Sequence, residues 1–191
     1  MAALTISRGA RRLRHLLVLL LAAASLALQA QTLTVPRESA VKAAFLMKFG
    51  TFVDWPPGAF ARPEDPLVIG VIGDDAVLAD LERLAQGRSI NGHPIAVRRL
   101  REPPAERERL HILFLASPNE SRLRDLIART PGQVLVVTQL EGALSLGAVL
   151  NFVVEGGRVR FEAAPRAADS RGIKLSSRLL AVAKSVEERS Q

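Results

Sequence analysis

Short apolar runs alternate with amphipathic stretches from about residue 38 to the end of the chain. Apolar runs of strand length predict β-strands at residues 67–72, 111–116, 134–138 and 148–154. Residues 95–100, which alternate apolar and basic, predict an outer strand, and residues 158–163 predict one more strand. Apolar residues that recur every three or four positions predict helices at about residues 39–54, at 74–85, around 123–127 and at 175–186. We expect Ser39 or a neighbour to cap the first of these helices and Ser176-Ser177 to cap the last.

Turn residues connect several of these elements. Asn91-Gly92 predicts a tight turn, and Gly156-Gly157 predicts that the last two strands form a hairpin. Strands that are apolar at every position are typical of a parallel sheet covered by helices on both faces. We therefore predict the α/β class, a three-layer α/β/α sandwich whose mostly parallel sheet carries a C-terminal antiparallel hairpin at or near one edge.

The first thirty residues have the layout of a secretory signal peptide. A basic segment precedes the uncharged run from Leu16 to Leu28, which is short for a membrane span. We expect cleavage after Ala30 and keep a cut after Ala27 and an uncleaved anchor as alternatives. The prediction is a signal peptide at residues 1–30, followed by one periplasmic domain at 31–191. The basic segment consists of Arg8, Arg11, Arg12 and Arg14.

Charge and cysteine content exclude several classes of function. Four arginines and no acidic residues lie in residues 1–30, so the formal net charge falls from +7 to +3 once they are removed. The densest remaining basic cluster is Arg98-Arg99-x-Arg101, and no aromatic residue interleaves it for base stacking. A solvated strand edge explains this cluster better than a nucleic-acid site. The chain has no cysteine, so disulfides and thiol chemistry are excluded.

An acidic pair follows the first strand of the sheet. Gly73, Asp74 and Asp75 lie where open α/β sheets bind ligands, so these residues are our candidates for a ligand crevice. A phospho-receiver site would also need an aspartate where this chain has Ser117. We favour the interpretation that Asp75 caps the following helix and that both carboxylates face its positive dipole end.

Residues for catalysis or metal binding form no recognisable pattern. Only His93 and His111 remain after residue 30, and no Gly-x-Ser-x-Gly motif is present. Asn151 interrupts an apolar strand, which is typical of a hydrogen-bonded core amide. We therefore predict a protein that is not an enzyme and that has no cofactor or metal. A small periplasmic hydrolase is an alternative that would need a serine or aspartate site outside these patterns.

Aromatic residues concentrate in the first helix. At 100° per residue, Val41, Phe45, Phe49 and Phe52 fall within an arc of about 80°, and Trp55-Pro56 ends the segment. Lys42 lies in the same arc, and we expect its stem to follow the apolar surface while its ammonium reaches water. Core packing and partner binding both explain such a face. The candidate partner-binding residues are Phe45, Phe49, Phe52 and Trp55.

Taken in order, these segments resemble the YfiR family. The resemblance covers about residues 38–186, and the ordered set is more specific than any one motif. It rests on residues 41–46 with Phe49, Phe52-Val53 and Trp55-Pro56, on 69–75, on Ile90-Asn91-Gly92 with Ile95-x-Val97, and on 111–114, 151–153, 159–162 and 175–180.

The resemblance implies regulation. A member of this family represses an inner-membrane diguanylate cyclase by binding its periplasmic portion, and release favours biofilm formation. An outer-membrane lipoprotein that assists release and a second copy of the chain are further partners we consider. Redox sensing through cysteine pairs is not carried over, because this chain has no cysteine. The alternative is a ligand-sensing or solute-binding module for another membrane sensor.

Overall fold

The computed structural model describes residues 37–105 and 108–187, so the signal peptide predicted for residues 1–30 lies outside the described residues. The described strands are β1 (Val53–Asp54), β2 (Leu67–Ile72), β3 (Ser89–Ile90), β4 (His93–Arg99), β5 (Ile112–Leu115), β6 (Leu135–Thr138), β7 (Leu150–Glu155), β8 (Arg158–Ala163), β9 (Lys174–Leu175) and β10 (Ser185–Val186). The α-helices are α1 (Glu38–Phe49), α2 (Asp75–Ala85), α3 (Glu120–Arg129), α4 (Pro165–Ser170) and α5 (Ser177–Val182), and a 3₁₀ helix covers Ala143–Leu146.

Eight of these strands form one sheet in the order β10-β8-β7-β6-β5-β2-β4-β3. Its central strands from β7 to β4 run parallel to one another. β8 pairs antiparallel with β7 to make the predicted hairpin, and β10 pairs parallel with β8 at the edge. β1 and β9 form a separate antiparallel pair. The predicted α/β sandwich with a C-terminal antiparallel hairpin is confirmed.

The two faces of the sheet carry separate apolar cores, because side chains alternate along each strand. On β2, Ile69 and Val71 join the core beneath α1 and α2. Val68 and Ile72 point the other way and join the core beneath α3. α4 and α5 add Ala168 and Leu179 to the first face. Helices therefore cover both faces, which makes three layers.

The first helix is shorter than predicted. α1 ends at Phe49 rather than near residue 54. The amide of Phe52 donates back to the carbonyl of Phe49 at 2.9 Å and closes a turn. The chain then continues as β1, in which Val53 pairs with Leu175 of β9, 122 positions later in the sequence. Pairing with a distant strand therefore overrides the local helical pattern.

The start of α1 also differs from the prediction. The N-cap is Arg37, which makes no side-chain capping bond, so the expected cap by Ser39 is wrong. Ser39 Oγ instead donates to Asp80 Oδ2 of α2 at 2.6 Å. Hydrogen bonds from Ser39 and Arg83 hold the pKa of Asp80 below its usual value. Asp80 thus ties the two neighbouring helices together.

The helix predicted at residues 175–186 is much shorter in the structure. Only α5 is helical there, flanked by β9 and β10. Ser176 caps α5 as predicted, since its Oγ accepts the Leu179 amide at 3.3 Å. Beyond the helix, Ser185 and Val186 pair with the open edge of β8. Edge pairing satisfies backbone groups that β8 would otherwise leave exposed.

Candidate functional site

The aromatic candidates in α1 and in the segment after it divide into one buried residue and three half-buried ones. Phe49 is 1% exposed. Its ring centroid lies 5.1 Å from that of Phe161 and 5.7 Å from that of Phe152, on the hairpin. These distances are typical of packed aromatic pairs. The Phe49 ring therefore lies in the core, and in this conformation it is not available for direct contact with another protein.

Phe45, Phe52 and Trp55 remain partly accessible at the margin of the same core. The Phe45 ring lies 5.7 Å from that of Phe161, so one of its sides packs on the hairpin. Trp55 lies edge-on to His111 at 5.5 Å, and its buried Nε1 has no acceptor among the described residues. A partner-binding role for these three residues stays a prediction.

Lys42 corrects an expectation, because its ammonium does not reach water. The residue is 6% exposed. Its Nζ donates to Glu38 one turn earlier and to Gln139 Oε1 at 2.7 Å. Gln139 directly follows β6, so this contact joins the start of α1 to the carboxyl end of the sheet. A buried ammonium needs such partners, since an unpaired one is costly.

The acidic pair lies in a crevice beside the carboxyl ends of β2 and β4. The cavity there has a volume of about 510 Å³. It brings together the predicted crevice residues with three arginines and one further acid. Its charged and glycine lining consists of Gly73, Asp74, Asp75, Arg99, Arg101, Glu102 and Arg122. The structure thus places all three predicted crevice residues in one cavity.

Asp74, and not Asp75, caps the second helix. Asp74 Oδ1 accepts the Val77 amide at 2.9 Å. Its extended backbone conformation, with φ −137° and ψ 96°, is the one expected of an N-cap residue. Asp75 is the first helical residue and forms an exposed ion pair with Arg99. The predicted cap is therefore present one residue earlier than expected.

Gly73 serves close packing between two loops. Its φ is +87°, and a Cβ at this position would lie 2.1 Å from the carbonyl oxygen of Ala116, which follows β5. β2 has β4 on one side and β5 on the other, which makes the β2–β5 boundary the switch point where open sheets usually bind ligands. The close approach of Gly73 to Ala116 lies at that boundary, whereas the cavity is lined mainly by residues that end or follow β2 and β4.

Opposite charges in the crevice largely neutralise one another. Arg99 pairs with Asp75, and Glu102 accepts a hydrogen bond from Arg129 at 2.9 Å and lies 4.0 Å from Arg122. The carboxylate of Asp74 accepts the hydrogen bond from the Val77 amide. Among residues 37–105 and 108–187, no three histidine or carboxylate groups are arranged to hold a metal ion. Arg101 has no acidic partner among the described residues, whereas the other charged groups of the crevice must give up existing partners before they bind a ligand.

A stack of rings at the other end of the sheet has no counterpart in the sequence predictions. Phe60 lies between His93 and His111, with centroids 3.7 and 4.3 Å away and planes within 16°. His111 Nδ1 accepts the Val68 amide at 3.0 Å, so its Nε2 carries the proton and donates to Ala59 O at 3.1 Å. Desolvation lowers the pKa of His111. The one sequence feature that could have indicated this stack is Phe60, an aromatic residue in an otherwise polar loop.

Asn151 is partly satisfied in the core. The hydroxyl of Thr138 donates to Asn151 Oδ1 at 2.8 Å, as expected of a core amide. Its Nδ2 is buried and has no acceptor among the described residues. The prediction of a hydrogen-bonded core amide therefore holds for the oxygen alone.

A family model described as YfiR/HmsC-like matches residues 39–184, more than half of the chain. The chain belongs to the YfiR/HmsC-like family. This confirms the resemblance drawn from the ordered motifs. No curated protein matched the chain.

The YfiR/HmsC-like match begins in α1 and extends beyond α5, so it includes the aromatic residues and the crevice. None of the helices in the described part of the chain is both long and apolar enough to cross a membrane.

Proposed function

We propose that this protein is a periplasmic regulator that binds and represses a membrane-bound sensor, specifically an inner-membrane diguanylate cyclase. Membership of the YfiR/HmsC-like family over residues 39–184 carries this proposal. The signal peptide expected at residues 1–30 supports the location, since it would direct the domain to the side of the membrane that faces the sensor's periplasmic portion.

A rigid domain can repress such a sensor by binding one of its states better than the other. The shift in the sensor's equilibrium cannot exceed the difference in binding free energy between the two states. The aromatic core formed by Phe49, Phe152 and Phe161 fixes α1 against the hairpin. Phe45 lies on this helix, and Phe52 and Trp55 after it pack against the same core, so these partly accessible rings can supply contact area at low entropic cost.

Deletion of the gene tests this function. We expect cellular cyclic di-GMP and surface attachment to rise, because an inhibitor of the cyclase is lost. The full-length gene should restore the low level. A version without residues 1–30 is the matched control and should not restore it, because it stays in the cytoplasm. Unchanged cyclic di-GMP in the deletion strain, with the sensor active, would contradict the repressor function.

The cavity of about 510 Å³ beside Asp74 favours a second candidate, a ligand-sensing module for another membrane sensor. A small molecule that binds only the native domain raises its melting temperature, and the rise grows with the logarithm of the ligand concentration relative to Kd. Thermal shifts that depend on a small molecule and disappear in Arg101→Ala would support this candidate. Retention of the protein on membranes that contain the sensor, without any ligand, would support the repressor instead.

A further inference from the structure

The edge of the sheet at β4 is only partly covered. β3 pairs with His93 and Pro94 alone. The next outward amide, that of Ile95, donates to the carbonyl of Arg88 at 3.2 Å. From Val97 onward, no described strand lies beside β4 on this side. The second half of β4 is therefore an open edge.

The direction of the open backbone groups follows from the register. The amide of Leu100 donates inward to Val71 O of β2 at 2.9 Å, whereas that of Ile95 points outward. Backbone groups alternate sides along a strand, so the amides and carbonyls of Val97 and Arg99 point outward as well. Neither amide has a described partner on that side. These groups are arranged as a template for one more strand.

A small groove lies next to this edge. Its volume is about 240 Å³, and it is lined by Ile95 and Val97 of β4 and, at the end of α2 and just after it, by Glu82, Ala85, Gln86 and Gly87. Ile95 and Val97 are half-buried and point to the same face of the sheet. In strand addition, main-chain hydrogen bonds supply affinity and such a groove receives alternate side chains of the added strand.

The positive charge along this edge favours an acidic binding partner. Arg98 and Arg101 are exposed and have no acidic partner among the described residues, while Arg99 is paired with Asp75. A second copy of the chain at this edge would place arginine against arginine, which is unfavourable for cross-strand neighbours. An acidic strand would instead meet complementary charge.

We propose that the open edge of β4 and the two residues after it, residues 97–101, bind an extended acidic segment of a partner protein by strand addition, with an apolar side chain of that segment in the groove. If the proposed function holds, the partner is the periplasmic portion of the repressed sensor. Only this identity rests on the proposed function. The strand-addition site itself stands on the open backbone groups, the groove and the unpaired arginines.

A synthetic peptide tests the site without the sensor. The probe is a fluorescent seven-residue peptide that alternates valine with aspartate or glutamate, and its control carries lysine at the acidic positions. We expect the purified mature protein to bind the acidic peptide more tightly than it binds the lysine peptide. Hydrogen exchange at the Val97 and Arg99 amides should slow when it binds. Equal binding of both peptides, or no slowing at these amides, would overturn the proposal and leave the arginines as a guard against aggregation.

Substitutions separate the edge from general charge effects. Arg98→Glu should weaken binding of the acidic peptide by about threefold to tenfold, since it turns an attractive cross-strand pair into a repulsive one. Arg160→Glu makes the same charge change at an exposed position of β8 and should leave binding unchanged. Equal effects of the two variants would overturn the proposal.

A third variant tests the backbone contribution. Val97→Pro removes one outward amide while leaving the inward ladder intact, as proline is tolerated on an edge strand. It should weaken peptide binding by about twofold to tenfold. A variant that keeps its melting temperature and full peptide affinity would overturn strand addition. In cells, the Arg98→Glu variant should fail to restore low cyclic di-GMP in the deletion strain. If deletion of the gene leaves cyclic di-GMP unchanged, that result contradicts the proposed function and not the strand-addition site.

Discussion

Replacing Phe49 by alanine tests whether the aromatic face of α1 belongs to the core. The ring is 1% exposed and lies between 5.1 and 5.8 Å from the rings of Phe45, Phe152 and Phe161. The variant removes the contact that joins the end of α1 to the β7–β8 hairpin. We expect a folded but strongly destabilised protein.

The expected loss follows from the buried area. A phenylalanine buries at least about 150 Å², which at about 25 cal/mol per Å² corresponds to roughly 4 kcal/mol. Alanine keeps part of this area, whereas the cavity left behind adds to the loss. Truncation of a core aromatic accordingly costs about 3–5 kcal/mol. Since a domain is stabilised by only about 5–15 kcal/mol, the effect should be large.

Urea denaturation of the mature protein measures this loss as a change in the free energy of unfolding. Phe45→Ala is the matched control, because Phe45 lies on the same helix but is only half-buried. Its cost should be smaller than that of Phe49→Ala. A loss below about 1 kcal/mol for Phe49→Ala, or a larger loss for Phe45→Ala, would refute the assignment of Phe49 to the core.

Two further predictions concern stability. Asp74→Ala should lower the free energy of unfolding by about 1 kcal/mol through loss of the cap, and Asp75→Ala by less; equal losses in urea denaturation would contradict the cap assignment. Because desolvation lowers the pKa of His111, the unfolded chain takes up its proton first, at about pH 6.5, and stability should fall as the pH drops below that value. Melting curves between pH 7 and 5 should show this fall, and a fall of equal size in His111→Gln would contradict it.

Elements specified by local pattern agree with the sequence predictions. The Asn91-Gly92 turn is present, and both residues have the positive φ that such a turn needs, 52° and 87°. The buried strand Leu67–Ile72 lies where its apolar run predicted it. These features depend on neighbouring residues alone, so the sequence contains what is needed to predict them.

Features that depend on distant residues were missed. The ammonium of Lys42 is buried because Gln139, 97 positions away, offers an acceptor. The two histidines stack on Phe60 only because three separate segments meet at the amino ends of the strands. The predicted crevice residues Gly73, Asp74 and Asp75 line one cavity, but the close approach of Gly73 to Ala116 was not predicted. No periodicity along the chain encodes such contacts.

Adding the purified mature protein to spheroplasts of the deletion strain tests the central claim most directly. Spheroplasts expose the periplasmic face of the inner membrane, so the protein reaches the sensor from the side on which we expect it to act. Cyclic di-GMP should fall as the protein is added and stay high with heat-unfolded protein. A constant level of cyclic di-GMP at saturating folded protein, in cells whose cyclase is active, would contradict periplasmic repression.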